Sequence, residues 1–396
     1  MKISDVRIIK VTGQVKGAVG ASEERQVGAL DHYPEYRART RRPKTEAELA
    51  AMEPISGIYL HIDTDEGITG LFGPIFESSA SVIAHSLKPY LMGCDPLATE
   101  RLWDIMARHD RHARKGLIMM AISAVDIALW DIRGKAAGMP IYRLLGGPTR
   151  DAVPAYASML GHSLELELVR ERAKKFAKMG FAAQKWFFRY GPGDGRAAIT
   201  KNMTLARTLR ETLGDEIDLM FDAWLGWDVP FSIEMGKRLA PLYPRWLEEP
   251  VQPDRIGSYA EIRAATGIPI AGGEHVYTRW GFKEMVQAEA LDVLQADPDW
   301  TGGISELVKI CALASAYDKQ VIPHGHSVLP ALHVIASQSP AVCPLLEYLW
   351  LGNQRKQWFH TEMFQPENGV VRLPTQPGLG IELDESKIDA KEALFV

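Results

Sequence analysis

Residues 217–275 read IDLMFDAWLGWDVPFSIEMGKRLAPLYPRWLEEPVQPDRIGSYAEIRAATGIPIAGGEH. Three short apolar runs in this stretch each end on an acid. Asp222 closes IDLMFD, Glu248 closes RWLE and Glu274 closes IPIAGGE. The three acids stand 26 residues apart, twice. The gaps hold helical texture, PFSIEMGKRLAPL and SYAEIRAATG. One strand with its helix and loops is about that long, so the spacing repeats one position on successive parallel strands.

Outward from this stretch the alternation continues. AVPAYAS (152–158), FAAQKWFF (181–188), LDVLQADP (291–298), QVIPHGHS (320–327) and CPLLEYL (343–349) are strand-like, and helical segments separate most of them. About eight units can be counted, which predicts an α/β fold with a (β/α)8-type barrel. The C-terminal strand ends of such a barrel form its active face. Three adjacent strands then aim three carboxylates at one point, where they repel one another unless a cation sits between them. An all-oxygen donor set suits Mg²⁺. A single acid at a strand end is common on any surface, and it is the shared phase that singles out these three. Strand alternation puts Glu248 on the face of Trp246 and Glu249 on the face of Leu247, so Glu249 reads as a structural neighbour. The next two units supply Asp297 and His324. A carboxylate beside an imidazole fixes its tautomer and raises its basicity.

Residues 1–145 have a different texture. ISDVRIIKVTG and SGIYLHIDTDEGITGLFG read as strands around a DEG turn, and GLIMMAISAVDIALWDIRGKAAGMP reads as a helix ended by Gly138-Met139-Pro140. The organisation expected is an α+β cap over 1–145, a barrel over 146–355 and a segment 356–396 that returns to the cap. Residues 22–44, polar and arginine-rich, read as a lid or a flexible surface loop. The chain has 396 residues, 46% of them apolar, and a net charge of −5, which gives no support for the basic patch a nucleic-acid partner needs. Three distant cysteines form no disulfide framework and no CxxC pair, and no apolar run is long enough to span a bilayer. A soluble cytoplasmic protein is expected.

This order of motifs resembles the enolase superfamily and, within it, the mandelate racemase subgroup. In the cap the likeness is carried by AISAVDIALWDIRGKAAGMPIYRLLGG (121–147). In the barrel it is carried by Asp222, Glu248 and Glu274, by Asp297 with His324, and by Glu347 in LLEYL. Within the subgroup, QKWFFRYGPGDG, LMFDAWLGWD, GGEHVYTRWGF, LDVLQADPDWTGG and VIPHGHSV look most like the L-rhamnonate dehydratases. The resemblance implies a Mg²⁺ enzyme acting on a small-molecule acid sugar. His324 would remove the C2 proton, the C3 hydroxyl would leave, and a 2-keto-3-deoxy acid would result. A homo-oligomer is expected.

The resemblance assigns further residues by position. Lys185 would orient the substrate carboxylate, or it pairs with an acid at the barrel mouth. A racemase-like second strand carries Lys-x-Lys, whereas this chain has Lys185-Trp186-Phe187, which argues against two-base epimerisation. Trp224 fits the rhamnonate-type pattern. His275 resembles a substrate contact, and Glu347 would hydrogen-bond substrate or is a rim acid. Arg39 and Arg41 would reach the polyol or are solvated. The family's cap-loop histidine has only a displaced counterpart, His32, and His326 stands where a small residue is more usual. His326 is expected to line the pocket or to support His324. The competing readings are an epimerase or racemase of a 2-hydroxy acid and a catalytically silent acid-sugar-binding protein.

Overall fold

The computed structural model describes residues 1–395. Three strands open the chain: β1 (Ile3–Lys16), β2 (Met52–Thr64) and β3 (Thr69–Phe72), all antiparallel. The β2–β3 turn runs through Gly67 at φ +80°, a conformation glycine adopts without a Cβ penalty. A last strand, Ala390–Leu394, pairs antiparallel with β1 on its free side. The cap sheet therefore combines residues from both ends of the described chain.

Against this sheet lies the helix Gly116–Ala137, which stops at Gly138 in a left-handed turn. It is buried on most of its circumference, and it carries two buried aspartates into the interior. Asp126 accepts from the backbone and hydroxyl of Ser305, at the start of the barrel helix Gly303–Ser315. A carboxylate suits the unsatisfied N–H groups of that helix end. Asp131 accepts from the backbone of Leu71 in the cap sheet and of Leu379 in the tail, and Lys135 pairs with it. These two carboxylates tie the cap to the barrel and to the tail.

The barrel strands are β4 (Ala152–Ser158), β5 (Ala183–Phe187), β6 (Asp218–Asp222), β7 (Trp246–Glu248), β8 (Ile270–Gly272), β9 (Val293–Leu294), β10 (Gln320–Val321) and β11 (Leu346–Leu349). Each pairs in parallel with the next from β4 to β10, and β11 pairs with β4. Between β10 and β11 the ladder is replaced by one bond, Val321 N–H to Val342 O at 2.8 Å. Helices follow the strands as the sequence pattern predicts. Of the tail, Val370–Arg372 pairs antiparallel with the start of β4, so this segment docks on the barrel as well as on the cap. No helix of the described residues is long and apolar enough to cross a membrane.

The interior of the barrel explains the position of the site. Tyr156, Ala183, Met220, Trp246, Ala271, Val293 and Ile322 form an apolar cluster of their own inside it. Alternation brings the residue two further along each strand to the same face. From Ala183, Met220, Trp246, Val293 and Ile322 that step reaches Lys185, Asp222, Glu248, Gln295 and His324. A charged layer thus rests on an apolar floor.

Candidate active site

Lys185 is fully buried, and its Nζ sits among acids. It bonds Glu248 Oε1, lies 2.8 Å from Glu347 Oε1 and 3.7 Å from Asp222 Oδ2. Burial alone would drive its proton off, but Glu248 and Glu347 more than offset that and hold it well above the usual lysine range. Glu248 Oε2 accepts from Trp246 Nε1 at 2.8 Å and Gln295 Nε2 at 2.7 Å. Asp222 Oδ1 accepts the Trp224 backbone N–H at 2.8 Å. The strand register sets Asp222 level with Glu248.

On the other side of the layer, His324 Nδ1 lies 2.6 Å from Asp297 Oδ2, and its Nε2 lies 3.3 Å from Glu274 Oε2. Burial pulls this imidazole down, but Glu274, Asp297 and Glu347 outweigh it and push His324 up to about 10. His275 Nδ1 lies 2.9 Å from Glu249 Oε2 and 3.5 Å from Glu274 Oε1, and these acids likewise overcome burial to raise it to about 9. Glu249 Oε1 accepts the Gly273 N–H at 3.2 Å, so both its oxygens are engaged in holding the next strand end. Glu347 Oε2 accepts the Gly325 N–H at 3.0 Å.

Asp222, Glu248 and Glu274 lie at the ends of adjacent strands, all buried, but their oxygens do not close into one tight cluster. Among the described residues, the groups whose donor atoms all lie within 4.8 Å are Glu249–Glu274–His275 and Asp297–Asp299–His326. Like charges at these strand ends lean towards the nearest cation, Glu248 and Asp222 towards Lys185 and Glu274 towards His324. The donor set still fits a hard divalent cation. Six buried carboxylates (Asp222, Glu248, Glu249, Glu274, Asp297 and Glu347) face one ammonium and two imidazoles, which leaves the layer negative. Burial and mutual repulsion push Asp222 up to about 6 and Glu248 and Glu274 up to about 7, the condition a bound cation relieves.

Other residues singled out by the sequence divide. Trp224, at φ +36°, and Arg41 line a cavity of about 490 Å³ with Gln26, Leu160 and Leu349, just outside Asp222. His32 lies exposed on the turn Ala29–His32, its carbonyl 3.3 Å from Arg37 Nη1. Arg39 stacks its guanidinium 4.2 Å over the Tyr36 ring. The 22–44 segment is ordered in place by a buried acid that the sequence reading passed over. Asp31 takes two bonds from Arg25 at 3.0 and 2.7 Å and one from Gly28 N–H. Trp300 was missed as well. Its ring lies 5.5, 5.1 and 5.0 Å from those of His275, His324 and His326. Asp299 was missed despite a readable signal, since it follows Asp297 by two as His326 follows His324.

The enolase C-terminal domain-like family matches residues 168–387, and the mandelate racemase / muconate lactonizing enzyme N-terminal domain family matches residues 37–146. The chain belongs to the mandelate racemase subgroup of the enolase superfamily. Among its relatives is an L-rhamnonate dehydratase of Saccharopolyspora erythraea, 32% identical over 97% of both chains. A D-galactarolactone cycloisomerase of Agrobacterium fabrum is 34% identical over 84% of this chain and 90% of its own. The crystal structure of a rhamnonate dehydratase from Gibberella zeae complexed with Mg superposes with a TM-score of 0.82 at 27% identity, over 98% of this chain and 95% of that one.

Proposed function

We propose that the chain is a Mg²⁺-dependent dehydratase of a sugar acid of the rhamnonate kind. The observation that carries this reading is the single base. His324 is aligned by Asp297, while Phe187, fully buried, occupies the position where the racemase-like Lys-x-Lys pattern has its second lysine. A site with one base suits elimination better than a proton transfer between two faces. The names of the relatives from S. erythraea and G. zeae support it.

Asp222, Glu248 and Glu274 would hold the metal. Bound there, Mg²⁺ would offset the charge of these carboxylates, including that of Glu274 on His324, and would supply positive charge to the substrate carboxylate as C2 loses its proton. Lys185 orients that carboxylate from the far side. His324 Nε2 takes the C2 proton and Asp297 stabilises the resulting imidazolium. The protonated His324 then gives a proton to the departing C3 hydroxyl, so water leaves and the enol tautomerises to the 2-keto-3-deoxy acid. Glu347 and His275, in the same charged layer, would contact the substrate, and Trp224 and Arg41 would receive the remaining polyol in the cavity they line.

A panel of aldonic and aldaric acids with Mg²⁺, read by semicarbazide trapping of 2-keto-3-deoxy products, tests the reading. Turnover of L-rhamnonate or a related aldonate, abolished by EDTA, is expected. Exchange of the C2 proton in D₂O without dehydration would point to an epimerase instead. The A. fabrum relative favours a second reading, a sugar-acid lactone cycloisomerase. Consumption of D-galactarolactone with no aldonate turned over would establish that one.

A further inference from the structure

Beside the Asp297–His324 pair stands a second pair built on the same two strand ends. His326 Nδ1 lies 2.6 Å from Asp299 Oδ2, the same separation as His324 Nδ1 from Asp297 Oδ2, and 27 residues part the partners in both. The two pairs are joined. The Asp299 backbone N–H donates to Asp297 Oδ1 at 2.7 Å, so whatever fixes Asp299 fixes the turn whose amide holds Asp297. Ser327 Oγ gives Asp299 Oδ2 a second donor at 2.5 Å. The loop is tethered on its outer side as well, where Lys356 Nζ donates to the His326 carbonyl at 2.7 Å and Asn353 to that of Gly325 at 3.2 Å. The imidazoles of His324 and His326 lie 6.4 Å apart at 26°, with the Trp300 ring about 5 Å from each. Phe76 of the cap lies 5.4 Å from the His326 ring.

We propose that His326 is a positioning residue: through Asp299 and its backbone N–H it sets the orientation of the Asp297–His324 pair, with Trp300 packed against both imidazoles. The inference rests on the reading of His324 as the base. A base must meet its proton at close range and correct angle, and a displacement of about 1 Å can cost ~100-fold in rate. Asp297 holds only one edge of the His324 ring. The amide of Asp299 restrains that carboxylate from rotating; backbone bonds from Trp300 and Thr301 to the Asp297 carbonyl close the turn, and His326 with Ser327 anchors the Asp299 side chain within it. A small residue at 326 would leave Asp299 with the serine hydroxyl alone.

Two variants separate this role from substrate contact. His326→Leu fills the space without a donor, and His326→Asn places an amide N–H where the Nδ1–H stands. On the sugar acid that the wild-type protein turns over fastest, His326→Leu is expected to lower kcat ~10–100-fold with little change in KM, and His326→Asn to recover most of it. A raised KM with kcat retained, or an altered preference among sugar acids, would overturn the proposal in favour of direct contact. Nitrogen-labelled histidine NMR reads the same geometry without turnover. The short Nδ1–H bonds of His324 and His326 give two downfield protons. His326→Leu removes one and should shift the other, whereas His326→Asn should leave the His324 signal in place. An unmoved His324 signal in His326→Leu sinks the proposal even if no sugar acid is dehydrated, so its failure is distinct from failure of the dehydratase reading. Should His326→Leu not fold, Ser327→Ala strips the other donor from Asp299 and carries the same readouts, with a smaller shift expected and no shift overturning.

Discussion

At the scale of single residues, the charged layer is set by which partner each carboxylate finds. Glu274 is the one acid that meets His324 Nε2, and it is the largest source of the upward pull on that imidazole. A cation taken up by Glu274 removes the pull. The His324 proton, held to about 10 without it, should come off at distinctly lower pH when Mg²⁺ is added to a histidine NMR titration. An unchanged titration would take Glu274 out of the metal site. Asp222, Glu248 and Glu274 were legible as candidates because they repeat every 26 residues at the ends of apolar runs, and Asp297 and His324 because they end the next two. Their pairing was not. Whether Glu274 leans to His324 or to Glu248 depends on competition between nearby charges, and sequence spacing carries no term for that. The same limit hid Trp300, whose packing against three imidazoles arises from loops of three different strands.

At the scale of elements, the Gly116–Ala137 helix was readable from its periodicity and its Gly138 stop, but not the density of its surroundings. Gly134 shows the difference. In an exposed helix, Gly→Ala gains roughly 1 kcal/mol. Here a Cβ on Gly134 would come within 2.5 Å of the Gly378 Cα, in the tail that Asp131 binds. Gly134→Ala should therefore destabilise, by about 1–3 kcal/mol in urea unfolding, and a gain in stability would refute the close helix–tail packing. The 22–44 segment shows the converse. Its composition is that of a mobile loop, yet one buried acid, Asp31, organises it through Arg25 and the Gly28 amide. Composition registers many arginines and cannot register that one of them meets a buried partner from its own loop.

At the scale of the molecule, His333 joins three regions. Its Nδ1 accepts the Tyr142 N–H at 3.2 Å, and its Nε2–H donates to the Leu379 carbonyl at 3.0 Å, which selects one neutral tautomer. Burial holds it down at about 4, against roughly 6.5 in the unfolded chain. Between those values the unfolded chain binds a proton that the folded one does not, so this contribution to stability is full above 6.5 and declines as pH falls towards 4. The loss amounts to at most about 3 kcal/mol. The buried carboxylates with raised values act in the opposite sense over part of the same range, so the comparison must be with a variant. Relative to His333→Gln, the wild-type protein should lose stability between pH 6.5 and 4, and parallel pH profiles would remove His333 from the account. The pairing of β1 with Ala390–Leu394 has a consequence of another kind. Those partners are separated by about 380 residues, so the cap sheet cannot finish assembling until that distant strand arrives, and such long-range closure is slow. Until then β1 presents a row of open backbone donors and acceptors on one edge, the feature by which strands recruit foreign chains. A cut shortly before Ala390 would leave every residue of the charged layer intact and still yield an aggregation-prone product.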